Sequence, residues 1–433
     1  MILLALVAAL HGSLKFIDDD YPKALATARA QHKPLFVDFW ATWCHSCLSM
    51  QRYVLADPAM KPLADEVVWA SIETETEKNK PVVEMYPLDG WPTFLLIDPD
   101  SEKVIGRFLG SGSVHDIRQF VQNGVRDYRG KTDPAAAAQR EGDQARIAVD
   151  FRKSADAYGR AVALSKPGDP ARPERLTLYA TALRRLAYTL HDAEAARTCV
   201  QLGLKEARNA GDSVPASDFV TYADACAELL PKGDPDAAKM HALAIERLRE
   251  ILAKKDAPLA ADDRSDALAN LSEMLDAAHR HPEAVKAMQE REQVLEQAAA
   301  AAPDATTAST FDPHRTDTYL YLKEPQKAEQ LLAAREKEMP SDYNPPARLA
   351  RVYFEEKKLP EAEAAVDRAL SMMPKSQRRI GILGLKAKIL KAQGKSTDAV
   401  LHEQLDVLRS LPAPQRNPDL EGKISEQLGL SKK

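Results

Sequence analysis

Apolar residues recur with a period of two or in short runs before residue 130, and with a helical period after it. In the first part, apolar runs bounded by turn residues predict strands. Helical spacing between these runs predicts three helices. The predicted strands are Leu14–Ile17, Leu35–Trp40, Val67–Ile72, Phe94–Ile97 and Val104–Leu109, and the predicted helices are Tyr21–His32, Cys47–Leu55 and Ile117–Val125. These alternating elements predict an α/β domain with a central mixed sheet covered by helices on both faces.

The second part of the chain contains paired helices and no convincing strand. A short linker, residues 129–134, leads into a region rich in Ala, Leu, Glu and Arg that runs from residue 135 to 433. Its clearest pair is Pro345–Pro374. This pair resembles a tetratricopeptide repeat, whose period is about 34 residues and whose small residues let helices approach closely. The region is therefore predicted to be an all-α, tetratricopeptide-like solenoid, curved by the stacking of pair on pair.

The register of these repeats is clear only towards the end of the chain. The alanines proposed as equivalent in successive repeats are Ala195, Ala238, Ala284, Ala328, Ala362 and Ala399. Their spacing is irregular, so only the last units match the repeat well. The alanine-rich segment 298–308 is predicted to be a connection between helices or a frayed helix end. The repeats are interpreted either as a platform for a protein partner or as a spacer or dimerisation arm.

Composition and charge exclude several classes of function. The 433 residues carry a formal net charge of -5, which gives no electrostatic reason to expect nucleic acid or an anionic membrane as a partner. Four cysteines in a chain of this length are too few for the disulfide framework of a small secreted protein. The length predicts more than one domain, each with its own core.

The first residues resemble an export signal. Ile2–Leu10 is an apolar run of the size of a signal-peptide core and is too short to span a bilayer. Residues 1–12 are therefore predicted to be a signal peptide, which would place the protein in the periplasm or another extracytoplasmic compartment. No Lys or Arg precedes the run. The alternative is a buried N-terminal strand or helix in a cytoplasmic protein.

The one segment with reactive chemistry is the Cys44-x-x-Cys47 pair, which follows a buried strand and opens a helix. A helix N-terminus stabilises an anion, so a thiolate forms there more easily than on a free cysteine. Such a pair exchanges disulfides, with Cys44 attacking and Cys47 resolving the mixed disulfide. The alternative interpretation is that Cys44 and Cys47 supply two of the four ligands of a structural zinc site. Such a site usually needs a second close pair of cysteines, and Cys199 and Cys226 are not close in sequence. No metal or cofactor is predicted. Cys199 and Cys226 are expected to be buried packing thiols, with a structural disulfide as the alternative.

Four separated features resemble the thioredoxin fold over residues 13–128. Trp43 precedes the cysteine pair, Asp38 lies six residues before Cys44, a Gly-x-Pro-Thr turn spans Gly90–Thr93, and Gly110 closes the last hairpin. The segment 33–58 is especially similar to the C-terminal periplasmic domain of thiol:disulfide interchange reductases. The resemblance implies that Cys44 is the nucleophile, that Cys47 resolves, that Asp38 handles the proton of Cys47, and that Pro92 is a cis-proline facing the disulfide.

The surroundings of the pair depart from the family pattern. His45 and Ser46 separate the cysteines, and His45 is expected either to stabilise the Cys44 thiolate or to point into solvent. Trp91 precedes Pro92 and Thr93 in the turn. It is bulkier than the aliphatic residue that the family usually has there, and it is expected to narrow the substrate groove. The family's lysine beside the buried acid aligns with Ser71. The acidic residues Glu73, Glu75 and Glu77 are interpreted as a solvated strand exit.

These features predict a thiol:disulfide oxidoreductase that acts on protein thiols and disulfides. An upstream redox partner would supply or remove electrons, and the direction of electron flow stays open. The helical repeats would recruit clients or partners. The competing prediction is a helical-repeat adaptor or scaffold whose thioredoxin-like domain serves mainly as a binding module.

Overall fold

The computed structural model of the chain describes residues 14–88, 90–130, 133–411 and 416–430. The signal peptide predicted for residues 1–12 lies outside these ranges, and its existence stays a prediction. The domain limits at residues 128 and 135 also stay predictions. Within the described ranges, no helix combines the length and the apolarity that a membrane span requires.

The N-terminal part of the described chain forms a five-stranded mixed sheet in the order β1-β3-β2-β4-β5. β1 pairs in parallel with β3, and β4 pairs antiparallel with both β2 and β5. The strands are β1 Phe16–Asp18, β2 Leu35–Trp40, β3 Val68–Glu73, β4 Thr93–Ile97 and β5 Val104–Leu109. The three inner strands are buried on both faces, as their continuous apolar runs predict.

Four helices accompany the sheet: α1 Tyr21–Gln31, α2 His45–Ser49, α3 Lys80–Met85 and α4 Val114–Tyr128. A π-helical turn, Met50–Val54, continues α2, and two 3₁₀ turns lie at Pro58–Leu63 and Glu77–Asn79. The capping side chains of Asp20 and Ser113 begin α1 and α4. The five predicted strands are therefore all present, and the structure adds one helix, α3, to the three predicted helices.

Aromatic side chains fill the space on one side of the sheet. Phe36 packs on Trp69 with ring centroids 4.6 Å apart and on Phe94 at 5.6 Å. Gly124 of α4 allows the closest approach of helix and sheet, because a Cβ there would lie 2.1 Å from Cδ1 of Leu96. A larger residue at position 124 would push α4 away from the strands.

Sixteen further helices make up the rest of the described chain. They are α5 Pro134–Ile147, α6 Phe151–Leu164, α7 Arg172–Thr189, α8 Ala193–Glu206, α9 Val214–Ala227, α10 Pro235–Ala253, α11 Ala261–Ala277, α12 His281–Ala301, α13 Ala305–Ser309, α14 Asp312–Tyr321, α15 Pro325–Glu338, α16 Asn344–Glu355, α17 Leu359–Met372, α18 Gln377–Ala392, α19 Asp398–Ser410 and α20 Pro418–Gln427. The predicted fold class is confirmed: a thioredoxin-like α/β part is followed by all-α, tetratricopeptide-like repeats.

The chain divides into two compact units that do not coincide with the two fold classes. Of the residues that the structure describes, the first unit comprises those within Met1–Trp40, Ser46–Ile72 and Gly90–Val294, and the second comprises those within Ala41–His45, Glu73–Asp89 and Leu295–Lys433. Within the first unit, α5 packs against β5 of the sheet as well as against α6. The sheet and the first repeats therefore share one packed body.

In the second unit, α16 and α17 form the helix pair predicted at Pro345–Pro374. Four of the six proposed repeat alanines are buried, whereas Ala238 and Ala399 are exposed. Their neighbours Ala237 and Val400 take the buried positions, so the predicted register was wrong by one residue in those two repeats. The segment 298–308 is mostly helical, because α12 extends to Ala301 and α13 starts at Ala305.

A disulfide joins the consecutive helices α8 and α9 of the first unit. Cys199 and Cys226 are bonded, with their Cα atoms 6.1 Å apart. The prediction of two free packing thiols was wrong, although their burial was correct, since both side chains are fully buried. Gly203 of α8 permits this close packing, because a Cβ there would meet the Cβ of Ala223 at 2.6 Å.

Candidate functional site

The Cys44–Cys47 pair is present as a disulfide. Helix α2 begins at His45, so Cys44 stands immediately before the first helical residue and Cys47 lies within the first turn. The amide of Cys44 donates a hydrogen bond of 3.0 Å to the carbonyl of Ala41, which turns the chain from β2 into the helix. Cys44 is 3% exposed and Cys47 is 1% exposed. The attacking and the resolving positions of the motif therefore differ little in exposure but differ in their place on the helix.

Asp38 is a buried acid in the middle of the sheet. It lies on β2 with 1% of its surface exposed, and its Oδ2 accepts a hydrogen bond of 2.9 Å from the side-chain amide of Gln51. Among the described residues, none donates a hydrogen bond to its Oδ1. The pKa of Asp38 is raised to about 7. Burial is the largest cause, the hydrogen bond from Gln51 acts in the opposite direction, and the nearby carboxyl of Asp18 adds to the rise. The carboxyl group can therefore gain and lose a proton near neutral pH.

Gln51 is a residue that the sequence analysis missed. It stands four residues after Cys47, so both side chains lie on one face of the helical segment, and both are 1% exposed. A polar residue on the buried face of a helix needs a partner. The sequence could have identified Gln51, because it stands one helical turn after Cys47 and the buried acid Asp38 was expected to need a hydrogen-bond partner.

Ser71 occupies the position aligned with the family's lysine. It is buried on β3, where its backbone pairs with Asp18 of β1. The charged group that acts on Asp38 from this side is therefore the carboxyl of Asp18 and not an ammonium group. The pKa of Asp18 is itself raised to about 6 by partial burial and by Asp19. This replacement keeps the proton affinity of Asp38 high.

The turn before β4 has the cis geometry expected from the resemblance. The Trp91–Pro92 peptide bond is cis. Thr93, which is fully buried, donates its hydroxyl to the carbonyl of Gly90 over 2.8 Å. Gly110, at a φ of 87° that favours glycine, donates its amide to the carbonyl of Pro92 over 2.9 Å. The two hydrogen bonds hold this turn at the start of the hairpin.

In the second unit, Glu75 links Trp43 to a tyrosine far along the chain. The indole Nε1 of Trp43 donates to Oε1 of Glu75 over 3.0 Å, and the hydroxyl of Tyr343 donates to Oε2 over 2.7 Å. Thr42 donates to the Tyr343 hydroxyl over 3.2 Å. The interpretation of this segment as a solvated strand exit was wrong for Glu73, which is buried and accepts the amide of Glu75, and for the partly buried Glu75, whereas Glu77 is exposed.

His45 lies in the second unit with its ring against that of His314. The ring centroids are 3.9 Å apart and the planes are inclined by 67°. His45 and Ser46 are both partly buried. Of the two expectations for His45, the side chain pointing freely into solvent is not what the structure contains, since an aromatic ring covers it.

The sheet region matches a known family. Residues 16–99 match the family model described as thioredoxin-like. This part of the chain is a thioredoxin-like domain. It is similar to the thiol:disulfide interchange protein DsbD of Pseudoalteromonas atlantica, with 31% identity over 90 residues, 20% of this chain and 15% of that protein. It is also similar to a protein disulfide-isomerase of Hordeum vulgare, with 29% identity over 113 residues, 24% of this chain and 22% of that protein. The chain spans less than a quarter of the length of these two relatives.

The chain is also similar to a solved structure of a helical-repeat protein. A tetratricopeptide repeat protein from Parabacteroides merdae covers 68% of this chain and 98% of its own, with 13% identity and a TM-score of 0.39.

Proposed function

We propose that the protein is a thiol:disulfide oxidoreductase that exchanges the Cys44–Cys47 pair with protein thiols and disulfides. The observation that carries the proposal is the disulfide at the start of a helix in a thioredoxin-like domain that also buries a titratable acid, Asp38. A helix N-terminus stabilises the thiolate that forms when the disulfide is reduced. A carboxyl group with a pKa near neutrality suits proton transfer at physiological pH.

The proposed exchange runs in two steps. In the reduced protein, the Cys44 thiolate attacks a client disulfide, which forms a mixed disulfide and releases one client thiolate. The Asp38 carboxylate then takes the proton of Cys47, and the Cys47 thiolate attacks Cys44. The second client thiolate leaves, so two electrons pass to the client and the Cys44–Cys47 disulfide forms. An upstream dithiol must reduce that disulfide again, and the same steps in reverse would oxidise a client.

The cis-proline turn would hold the client chain during this exchange. The cis geometry of Pro92 and the buried, hydrogen-bonded Thr93 support a role in which the backbone of Trp91 pairs with an extended client segment. The partly buried indole of Trp91 would then narrow the space beside that segment. The helical repeats would recruit clients or partners, since repeat arrays offer extended binding surfaces.

We further propose an extracytoplasmic location, the periplasm if the source is a bacterium with two membranes. The Cys199–Cys226 disulfide supports it, because structural disulfides persist in oxidising compartments and are rare in the cytosol. A fusion of the whole chain to a reporter that folds only outside the cytoplasm tests the location. Reporter activity is expected, and activity that appears only with a cytoplasmic reporter would contradict the proposal.

A second candidate function is a helical-repeat adaptor in which the thioredoxin-like domain only binds. The low exposure of Cys44 and the hydrogen bond that fixes Trp43 favour it, because both restrict access to the sulfur.

Reduction of a small neutral disulfide decides between the two functions. The reduced full-length protein is mixed with hydroxyethyl disulfide, and turnover is followed with a reductase-coupled assay. Turnover that disappears in Cys44→Ser supports the oxidoreductase, whereas Cys199→Ala is the matched cysteine control. A wild-type rate equal to that of Cys44→Ser would leave the adaptor as the function. The reduction potential of the pair then fixes the direction of exchange.

A further inference from the structure

The second unit contains a groove of about 910 Å³ that two side chains of the redox motif help to line. The described residues of its wall come from Trp43 and His45 and from helices α14, α16, α18, α19 and α20. Its apolar surface is provided mainly by Phe354, Ile380, Leu385 and Leu420. The volume is that of a site for a ligand of substantial size. Trp43 packs against the apolar cluster formed by these helices, so the indole is part of the wall.

The charges along the groove are unbalanced. Arg351 is paired with Asp317 at 2.6 Å and with Glu355 at 3.3 Å, which accounts for both acidic residues of the wall. Arg348 and Arg378 form no ion pair with any residue that the structure describes. Exposed Lys388 adds a further positive charge. The groove therefore offers two arginines that make no direct ion pair with the described residues, although the charges of Asp312 and Asp342 act on Arg348 and that of Glu75 acts on Arg378.

The two arginines without an ion pair are both partly buried. The guanidinium of Arg378 lies 5.9 Å from the centroid of the Trp43 ring, and its Nε is buried without a hydrogen-bond acceptor among the described residues. Burial lowers the pKa of both Arg348 and Arg378, although arginine stays protonated. A buried guanidinium without a partner is costly, and a carboxylate supplied by a ligand would remove that cost.

The position of Trp43 sets the distance from these arginines to the reactive sulfur. Trp43 and Cys44 share a peptide bond, so their Cα atoms are about 3.8 Å apart. The guanidinium of Arg378 lies against the indole of Trp43, so the path from this guanidinium through Trp43 to Cys44 measures on the order of 10–15 Å. An extended chain covers that distance with about four residues. A segment of about four residues bound at the arginines is therefore long enough to span the distance to Cys44, whose side chain is itself 3% exposed.

We propose that this groove selects client polypeptides that carry an acidic residue about four positions from the reacting cysteine, with the carboxylate on Arg348 and Arg378 and apolar neighbours against Phe354 and Leu385. The inference deepens the proposed oxidoreductase function and rests on it. A polypeptide fits better than a small anion, because the groove combines one cationic site with an apolar wall on several helices. Arg378 and Arg348 are positioning residues here, since they bind the client away from the sulfur.

Matched peptides test the proposal on the full-length reduced protein. Each peptide contains one cysteine, linked as a mixed disulfide to the chromogenic thiol thionitrobenzoate, and an apolar spacer of three residues. The fourth residue is Glu in one peptide, Gln in the second and Lys in the third. The Cys44 thiolate attacks the peptide sulfur, the bond to thionitrobenzoate breaks, and the coloured thiolate is released. Cys47 then displaces the peptide thiolate and closes the Cys44–Cys47 disulfide.

The quantity measured is the ratio of the second-order rates of the Glu and Gln peptides. We expect the Glu peptide to react about five- to tenfold faster at low ionic strength, with the Lys peptide slowest, and the advantage to shrink as salt rises. In Arg348→Gln/Arg378→Gln the ratio is expected to fall to about one. Arg368→Gln removes an exposed arginine that pairs with Glu336 outside the groove, and it should keep the wild-type ratio.

The outcomes separate the groove from the chemistry. Equal rates for the Glu and Gln peptides in the wild-type protein, with thionitrobenzoate released from both, would overturn the acidic-client proposal and leave the oxidoreductase in place. Release from none of the peptides, together with no turnover of hydroxyethyl disulfide, would remove the proposed function itself. A ratio that Arg348→Gln/Arg378→Gln leaves at the wild-type value would show that the preference arises elsewhere.

Discussion

Gln51 donates a hydrogen bond of 2.9 Å to Asp38, and it does so from one helical turn beyond Cys47. The amide therefore holds one oxygen of the carboxyl group and leaves Oδ1 without a hydrogen bond from the described residues. In the proposed exchange, that second oxygen is the one able to accept the proton of Cys47. The pair thus combines orientation of the acid with a pKa of about 7.

Asp38→Asn is expected to slow the resolution of the mixed disulfide. The substitution keeps the size of the side chain but removes the group that accepts the proton of Cys47. The expected loss is about 100-fold, at the low end of what one positioned acid or base contributes. Stopped-flow measurement of thiol release after mixed-disulfide formation gives the rate. Asp57→Asn, at the cap of a surface 3₁₀ turn, is the matched control and should resolve at the wild-type rate. Equal rates in Asp38→Asn and the wild type would assign Asp38 a structural role.

The same acid makes stability depend on pH with a defined sign. The pKa of Asp38 is about 7 in the folded protein, against 3.8 for an unperturbed aspartate. Between these values the folded state holds a proton that the unfolded state has lost, so the contribution of Asp38 to stability falls as pH rises from about 4 to about 7. The full effect is about 4 kcal/mol. Urea unfolding of the wild type and Asp38→Asn at pH 4.5, 6 and 8 measures it, and a difference between the two proteins that does not vary with pH would contradict the prediction.

Cys44 is expected to be the first cysteine alkylated after mild reduction. It precedes the first residue of α2, where the helix favours the thiolate, while Cys47 lies inside the helix. Cys199 and Cys226 are fully buried and bonded to each other, so they should remain unlabelled in the folded protein. Iodoacetamide labelling at pH 7, followed by mass spectrometry of the peptides, gives the order. Faster labelling of Cys47 would reverse the proposed roles.

Tyr343→Phe is expected to loosen Trp43 without changing the fold. The substitution removes the hydroxyl that donates to Glu75 over 2.7 Å, and Glu75 also holds the indole of Trp43. A hydrogen bond to a charged group in a partly buried place contributes about 1–2 kcal/mol. Urea unfolding and the change in total tryptophan emission between this variant and the wild type report the effect. Tyr353→Phe is the control, since no described residue hydrogen-bonds to that hydroxyl, and it should unfold like the wild type. Identical unfolding of both variants would show that the Glu75 network adds nothing to stability.

Removing the second disulfide is expected to destabilise the first unit. Cys199 and Cys226 are 27 residues apart, and a loop of that length corresponds to about 3–4 kcal/mol in the chain-entropy description. Cys199→Ala/Cys226→Ala avoids placing a hydroxyl in the core. Thermal unfolding in a Cys44→Ser/Cys47→Ser background isolates the effect, because the midpoint should then be lower in the protein that also carries Cys199→Ala/Cys226→Ala than in the protein that keeps the bond. Equal midpoints in these two proteins would mean that the bond contributes little.

The sheet could be predicted from the sequence because apolar residues dominate each strand, although Asp38 interrupts the run of β2 and Gly106 and Arg107 interrupt that of β5. The runs at Leu35–Trp40 and Val104–Leu109 became β2 and β5 with the same limits. The short α3 could not be predicted, since its six residues include a proline and have too few turns to show a helical period. The repeats were identified as paired helices, but small residues on neighbouring helical positions left the register open by one residue at Ala238 and Ala399.

The residues of the motif were recognisable in the sequence, but their long-range partners were not. Glu75 appeared to be one of three solvent-exposed acids because alternating Glu and Thr after a strand carry no signal of burial. Its hydrogen bond from Tyr343 joins positions 268 residues apart. The pairing of Cys199 with Cys226 was equally open, because two cysteines on apolar helix faces are compatible with both packing thiols and a bond.

The burial of Cys199 and Cys226 has a consequence for the biogenesis of the chain. Once α8 and α9 have packed, neither sulfur is accessible to an oxidant or to another thiolate. The bond must therefore form while this part of the newly made chain is still open. A molecule that folds before oxidation therefore lacks the Cys199–Cys226 bond. In a molecule that has formed the bond, reductants that act on Cys44 and Cys47 leave this second disulfide intact.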